Sequence, residues 1–490
     1  MTRQLRHPQP VGVFGLPAGF LLVPDTGSPA VAAAHDDLVA GRLPRQWPDD
    51  LRFHELVHAG NLDAAREVLF EGEPLTAYHS WVLDPDPGAA DAVRGSLPES
   101  VRALVDIVLA ATGQGPAPQV GDDASAEIRA LARAAQATEA LGRGDLDAGL
   151  AGLHAAAQTA AATVPALAAV LTATAAMIRH DAGDGAGAAA GLAGALADLT
   201  ETDLPEVRAD VALRLGSISQ EAAAGARNEH EMRERLQEAM GHYYAGLHAV
   251  DEESAPFLWA SLNLNLATAH LSAPMTQAGD QLRLGVAMQS LRACRRVFTP
   301  QEAPAQWASA TLNLANALVY SPSTHQGDNL AEAIGLYDEI LASGVRSGDD
   351  LARARLLTNR GNALAHAGAF DDAHADLAEA RYLFETHLDH DGALTVRAIL
   401  DEVRKAQVEE PDDELADLAQ QAEQMGRMPQ PTSFNSGMGV RVGGGLPGGI
   451  DSTPPPKATV TILDAATRPT PVGDSAEAGG LLGEVEGDEA

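Results

Sequence analysis

From about residue 51 to residue 409 the apolar positions return every three or four residues, in runs of about 14 to 20 closed by Gly, Asp or Pro. That period is one stripe on an α-helix, and it predicts an all-α fold. Periodicity alone places helices at about 163–180, 184–199, 205–224 and 229–250. The stretches 24–50, 83–100 and 112–124 are rich in Pro, Gly and Asp and lack the period, so they are expected to be linkers. Residues 11–23 alternate around Leu16-Pro17-Ala18-Gly19, a pattern that predicts a short β-hairpin. After Pro411 the period decays into Gly443-Gly444-Gly445, Pro454-Pro455-Pro456 and a final acidic run. Residues 411–490 hold 13 acidic and 4 basic residues, too little apolar surface to order themselves. The expected organisation is an N-terminal appendage and linker (1–50), a degenerate helical repeat region (51–111), a linker (112–124), a helical solenoid (125–410) and a disordered acidic tail (411–490).

Within the solenoid the chain repeats itself. Trp259-Ala-Ser-Leu-Asn-Leu-Asn-Leu-Ala and Trp307-Ala-Ser-Ala-Thr-Leu-Asn-Leu-Ala lie 48 residues apart, and 13 of 24 aligned positions match through Leu282 and Leu330. Unrelated segments of this composition would share about 2, so the segment is duplicated. A third copy, Thr358-Asn-Arg-Gly-Asn-Ala-Leu364, continues into Gly368-Ala-Phe-Asp-Asp-Ala373. Leu357, Gly361, Leu364, Ala373, Leu377 and Ala380 there follow the large and small alternation of a tetratricopeptide repeat, which this segment resembles. The same turn recurs at Gly60-Asn-Leu-Asp-Ala-Ala65 and Gly144-Asp-Leu-Asp147, while the units at 259 and 307 depart from the family by longer inter-helix loops, 272–280 and 321–328. The resemblance implies a solenoid of antiparallel helix pairs whose first helices line a concave groove.

Composition narrows the function. Aromatic residues make up 4% of the chain and the 45% hydrophobic share is dominated by Ala, which suits close-packed helices. The 33 basic against 68 acidic residues leave a net charge of -35, which repels nucleic acid and anionic membranes. Cys294 is the single cysteine, so no internal disulfide forms, and no apolar run is long enough for a membrane span; a cytoplasmic setting is expected. Lysine occurs only at 405 and 457, and this bias toward Arg, Ala and Gly points to a GC-rich bacterial genome.

Three motifs bear on chemistry. His54-Glu55-Leu-Val-His58 has the zinc-peptidase spacing, with Glu71, Glu73 or His79 as conceivable third ligands, but the repeat turn follows it directly, which favours packing roles on a first helix. Cys294 lies beside Arg292, Arg295 and Arg296, which would lower a thiol pKa, yet no partner base is spaced for it and a packing role is expected. Residues 443–449 are Gly-rich without the Gly-Lys-Ser/Thr of a phosphate loop.

The remaining feature is a ladder of asparagines. Asn265, Asn313, Asn316, Asn359 and Asn362 fall on first helices, with Arg355 one turn before Asn359. By the tetratricopeptide resemblance such side chains would meet the backbone and carboxylates of an extended peptide, although Ser261 and Ser309 stand where the last unit has Arg355. The bland alternative is that some of the asparagines only satisfy neighbouring turns or tie adjacent helices together. The expected function is a non-catalytic protein-interaction scaffold with a protein or peptide partner and no cofactor. Two alternatives are a zinc-dependent hydrolase using His54, Glu55 and His58, and a regulatory subunit whose effector lies on another chain.

Overall fold

The structure is a computed structural model and describes residues 12–24, 26–69, 75–273, 280–321, 325–345 and 348–409. Among these residues helix is the one regular secondary structure, and no strand forms. Six helices come first: α1 (Pro29–Val39), α2 (Arg52–His58), α3 (Leu62–Glu67), α4 (Thr76–Val82), α5 (Ala90–Ser96) and α6 (Ala103–Ala111). Six antiparallel pairs follow. They are α7 (Ala126–Gly142) with α8 (Leu146–Ala160), α9 (Pro165–Asp181) with α10 (Gly185–Asp198), α11 (Pro205–Ala224) with α12 (Glu229–Ala249), α13 (Pro256–Ser272) with α14 (Asp280–Val297), α15 (Pro304–Tyr320) with α16 (Gln326–Ser343), and α17 (Asp350–His366) with α18 (Phe370–Thr386). The last helix, α19 (His390–Glu409), packs on α18. Each helix from α7 onward packs chiefly against its neighbours in the chain, so the solenoid is built one unit at a time.

Local sequence explains where the helices start. In α9, α11, α13 and α15 a proline opens the first turn, where its missing N–H has no intrahelical partner to lose. The carboxylates of Asp145, Asp184 and Asp349 and the amide of Asn228 cap α8, α10, α17 and α12 by accepting from the backbone three residues on.

Their ends are equally local. Gly144, Gly183 and Gly368 take φ of 80°, 92° and 80°, and the following N–H reaches back to the helix: Asp145 to Ala140 O at 3.0 Å, Asp184 to Arg179 O at 2.9 Å, Ala369 to Leu364 O at 2.9 Å. Leu388 occupies the same place after α18, with φ 59° and Asp389 N–H on Phe384 O at 2.9 Å, although a branched side chain crowds its own backbone there. Its side chain is exposed and packs nothing that glycine would forfeit. Leu388→Gly should therefore stabilise the last units by about 0.5–1 kcal/mol, and Gly368→Leu should do the reverse. Urea midpoints that move in the opposite sense would refute the comparison.

Small residues set the spacing within a pair. Gly361 is buried on α17, and a Cβ added there would lie 2.8 Å from Leu377 Cγ and 3.2 Å from the Ala373 carbonyl, so α17 and α18 are in contact through their backbones. Ala373, Leu377 and Ala380 are fully buried opposite it. The adjacent helices are thus packed pairwise in a helical-repeat arrangement.

The N-terminal part differs from the hairpin the alternation predicts. Residues 12–23 contain one 3-10 turn, Ala18–Phe20, and then run extended and buried through Leu21, Leu22 and Val23. Gly12 N–H reaches Gly19 O at 2.9 Å, but no ladder continues from it, because Gly19 N–H turns back to Gly15 O and Phe20 N–H to Pro17 O, and the Leu22 N–H and C=O are taken up by side chains of α4 and α2. Phe20, Leu21 and Leu22 join Tyr78, Leu104 and Ile107 and, from α7 and α9, Leu131 and Leu167 in one core. Part of the Pro-rich stretch 24–50 is the helix α1, whose Val31, Ala34 and Leu38 pack on Val23 and Leu51. The tail, 411–490, and residues 274–279 and 322–324 of the long inter-helix loops lie outside the described residues.

Candidate functional site

The first helices share a register. Asn265, Asn313 and Asn359 are each the tenth residue of α13, α15 and α17, and Thr268, Asn316 and Asn362 the thirteenth. In α11 these places belong to Arg214 and Ser217, which the spacing of the asparagines does not reveal. The signal was present in Pro205, which opens α11 as Pro256 and Pro304 open the next two first helices.

These positions face the neighbouring first helix. Asn359 Nδ2 donates to Asn316 Oδ1 at 3.0 Å, which also accepts from the Tyr337 hydroxyl at 2.7 Å. Asn362 Nδ2 donates to the Tyr320 hydroxyl at 3.1 Å. Gln220 of α11 donates to Thr268 Oγ1 at 3.1 Å and accepts from Tyr243 at 2.9 Å. Arg214, 2% exposed, donates to Asp181 at the end of α9 at 2.8 Å, and His180 meets Glu221 at 3.2 Å. Asn265 instead donates to Ser261 O of its own helix at 2.9 Å. Polar side chains thus link α9 to α11, α11 to α13 and α15 to α17.

Exposure divides the six residues. Asn265, Asn313, Asn316 and Asn359 are 9%, 0%, 1% and 5% exposed, whereas Asn362 is half-buried and Arg355 exposed. Residues 260–269 of α13 and 307–319 of α15 are buried without a break, so these two helices are enclosed around their whole circumference. On α17, Arg355, Asn362 and His366 recur at seven and four residues and form one face that reaches the surface. Burial pushes the Tyr320 hydroxyl up to about 12, against the pull of its bond to Asn362.

The His54-Glu55-Leu-Val-His58 segment lies in α2, and its histidines are committed to packing while Glu55 stays partly exposed. His54 is buried with Nε2 3.3 Å from Leu22 O, Glu55 pairs with Arg52, and His58 sits edge-on to Phe14 with ring centroids 4.8 Å apart. His79 lies beside His54, 5.4 Å between centroids, but its Nε2 accepts from Leu22 N–H at 3.2 Å. Burial holds His54 well below the ordinary range, helped by His79 and His58 and opposed by Leu22 O, and it lowers His58 and His79 to about 4. Among the described residues no three His, Cys, Asp or Glu side chains gather to hold a metal ion; Glu71 and Glu73 lie outside them. Cys294 is fully buried, and desolvation raises its thiol to about 12 despite Arg295 and Arg296.

Fold and site together define an all-helical repeat protein in which first helices are joined by a polar seam. No protein-family model matches the chain, and no curated protein matches it. Among the described residues no helix is long and apolar enough to cross a membrane.

Proposed function

We propose that this protein is a non-catalytic interaction scaffold of the tetratricopeptide type, which binds an extended peptide segment along the accessible edge of the first-helix face in its last units. The observation that carries the reading is the strip of Arg355, Asn362 and His366 on α17, which shares a face with the buried ladder residue Asn359 but remains in contact with solvent. Arg355 supplies a cation for a carboxylate, and Asn362 an amide whose carbonyl accepts from a peptide N–H while its Nδ2 is held by Tyr320. Asn316 and Asn359 contribute by joining α15 to α17 beneath this strip. A stack of helix pairs suits such a role because it offers a long continuous surface without a reaction centre. With a net charge of -35, neutral or basic segments should associate faster than acidic ones, and salt should erase the difference.

The test is selection of 12-residue peptides from a displayed random library on the full-length chain. Peptides that are enriched should lose at least tenfold in affinity, about 1.4 kcal/mol, against Arg355→Ala with Asn362→Ala. The melting curve should move little, since both side chains lie at the surface. Failure to enrich any peptide, or binding that survives the double substitution, overturns the reading. Asn316→Ala is the contrasting variant: it strands the Asn359 and Tyr337 donors in the interior and should cost about 1–3 kcal/mol of stability.

A further inference from the structure

Residues 12–23 fold on themselves. Gly12 N–H donates to Gly19 O at 2.9 Å, Gly19 N–H to Gly15 O at 2.7 Å, Phe20 N–H to Pro17 O at 3.1 Å and Leu21 N–H to Ala18 O at 3.3 Å. This arm carries no charged residue, and its last four residues enter the cleft between α2 and α4, Phe20 closing the 3-10 turn and Leu21 to Val23 continuing without helix. There its main chain is read by side chains. The Tyr78 hydroxyl donates to Phe20 O at 2.8 Å, His54 Nε2 donates to Leu22 O at 3.3 Å, and His79 Nε2 accepts from Leu22 N–H at 3.2 Å. Those partners require His54 protonated at Nε2 and His79 unprotonated there. Phe20, Leu21, Leu22 and Val23 are at most 5% exposed. Hydrogen bonds to both the N–H and the C=O of one residue, together with buried side chains around it, are one way in which proteins recognise extended peptides. Beyond Pro24, Gly27 adopts φ 71° with nothing within 4 Å of the space a Cβ would fill, a turn that separates the arm from α1.

We infer that the α2–α4 cleft is a peptide site occupied in cis by residues 20–23, and that a partner segment of four consecutive apolar, uncharged residues binds there by displacing the arm. The chemistry of the occupant defines the partner: no charge, no proline at the position of Leu22, whose N–H is needed by His79, and large aliphatic or aromatic side chains in a row. The tether gives the arm an effective concentration of the order of millimolar, so a free segment competes only when the arm opens or when its own fit is better. This site is separate from the strip on α17 and does not rest on it.

The probe is a fluorescently labelled peptide of residues 12–24, titrated into the full-length chain and into a variant lacking residues 2–24. The truncated variant should take up one peptide saturably, at least a hundredfold more tightly than the full-length chain, and should reject the peptide carrying Leu21→Asp and Leu22→Asp. Hydrogen exchange on the full-length chain should show the amides of residues 19–23 exchanging at least tenfold faster than those of α6, which reports opening of the arm alone. If truncation unfolds the neighbouring helices, adding the peptide should restore their circular dichroism. A folded truncated variant that ignores the peptide, an unfolded one that the peptide does not rescue, or arm amides as slow as those of α6 would each make the arm a permanent part of the core and overturn the inference.

Discussion

Arg214→Met should destabilise the solenoid by about 1.5–3 kcal/mol, among the largest effects expected of a single substitution in the polar seam. Arg214 is almost wholly buried on α11 and faces Asp181 at 2.8 Å and Asp210 at 3.8 Å. Burial already raises the Asp210 carboxyl, Arg214 is what pulls it down, and Asp181 opposes that pull. Methionine keeps the length and apolar stem of the side chain but leaves two neighbouring carboxylates without their cation. Both carboxylates already touch solvent and hydrate on that side, so the loss falls on the tie that Arg214 makes between α9 and α11. Exposed pairs such as Arg292 with Glu332 provide the control, because solvent already screens them and Arg292→Met should cost less than about 0.5 kcal/mol. Urea titration followed by circular dichroism decides the matter. In a stack of nearest-neighbour units the loss should appear as an early partial transition. Equal, small shifts for both variants would refute a structural role for Arg214.

Acidification should unfold the N-terminal helices before the solenoid. His58 and His79 sit at about 4 when folded, and His54 is lowered as well, all because burial disfavours the charged ring. Unfolded, each returns to about 6.5. Between those values the unfolded chain binds more protons, so stability is complete above pH 6.5 and declines as pH falls toward 4. For His79 alone the loss at pH 5 is about 2 kcal/mol. The solenoid responds in the opposite sense at its raised carboxyls: Asp210 and Asp376 are held up by burial, so the folded state gains protons there as pH falls. Pulsed hydrogen exchange in urea at pH 7.5 and pH 5, corrected for intrinsic rates, should show α2 and α4 losing protection selectively. His79→Gln retains an acceptor for Leu22 N–H but cannot titrate, and it should remove its share of the acid loss. A pH-independent difference between the two regions would overturn this assignment.

Much of the architecture was legible in the residues themselves. The helices expected at 163–180, 184–199, 205–224 and 229–250 are α9 to α12 with ends displaced by at most two residues, since Pro at the first turn, Asp or Asn at the cap and Gly after the last turn act within a few residues of where they stand. The asparagines were likewise recognised as a repeating feature from their spacing. Their burial was not. A helical period says which residues share a face, but α13 and α15 carry small, polar and apolar residues alike on every side, and only the stacking of the units enclosed both helices and turned Asn313, Asn316 and Asn359 inward while leaving Arg355 and Asn362 accessible. Arg214 was missed for a related reason: its role depends on Asp181 and Asp210 arriving from a neighbouring helix and a preceding turn. The same holds at the N-terminus, where alternation in residues 11–23 promised a hairpin and where His54 and His58 had metal-site spacing. What decided both was a contact between distant segments: the peptide of Leu22 lies between His54, 32 residues on, and His79, 57 residues on, and such a meeting leaves no periodic trace in either segment. Local propensity and capping therefore determined the elements, and the tertiary packing determined which polar groups face one another and which face the solvent.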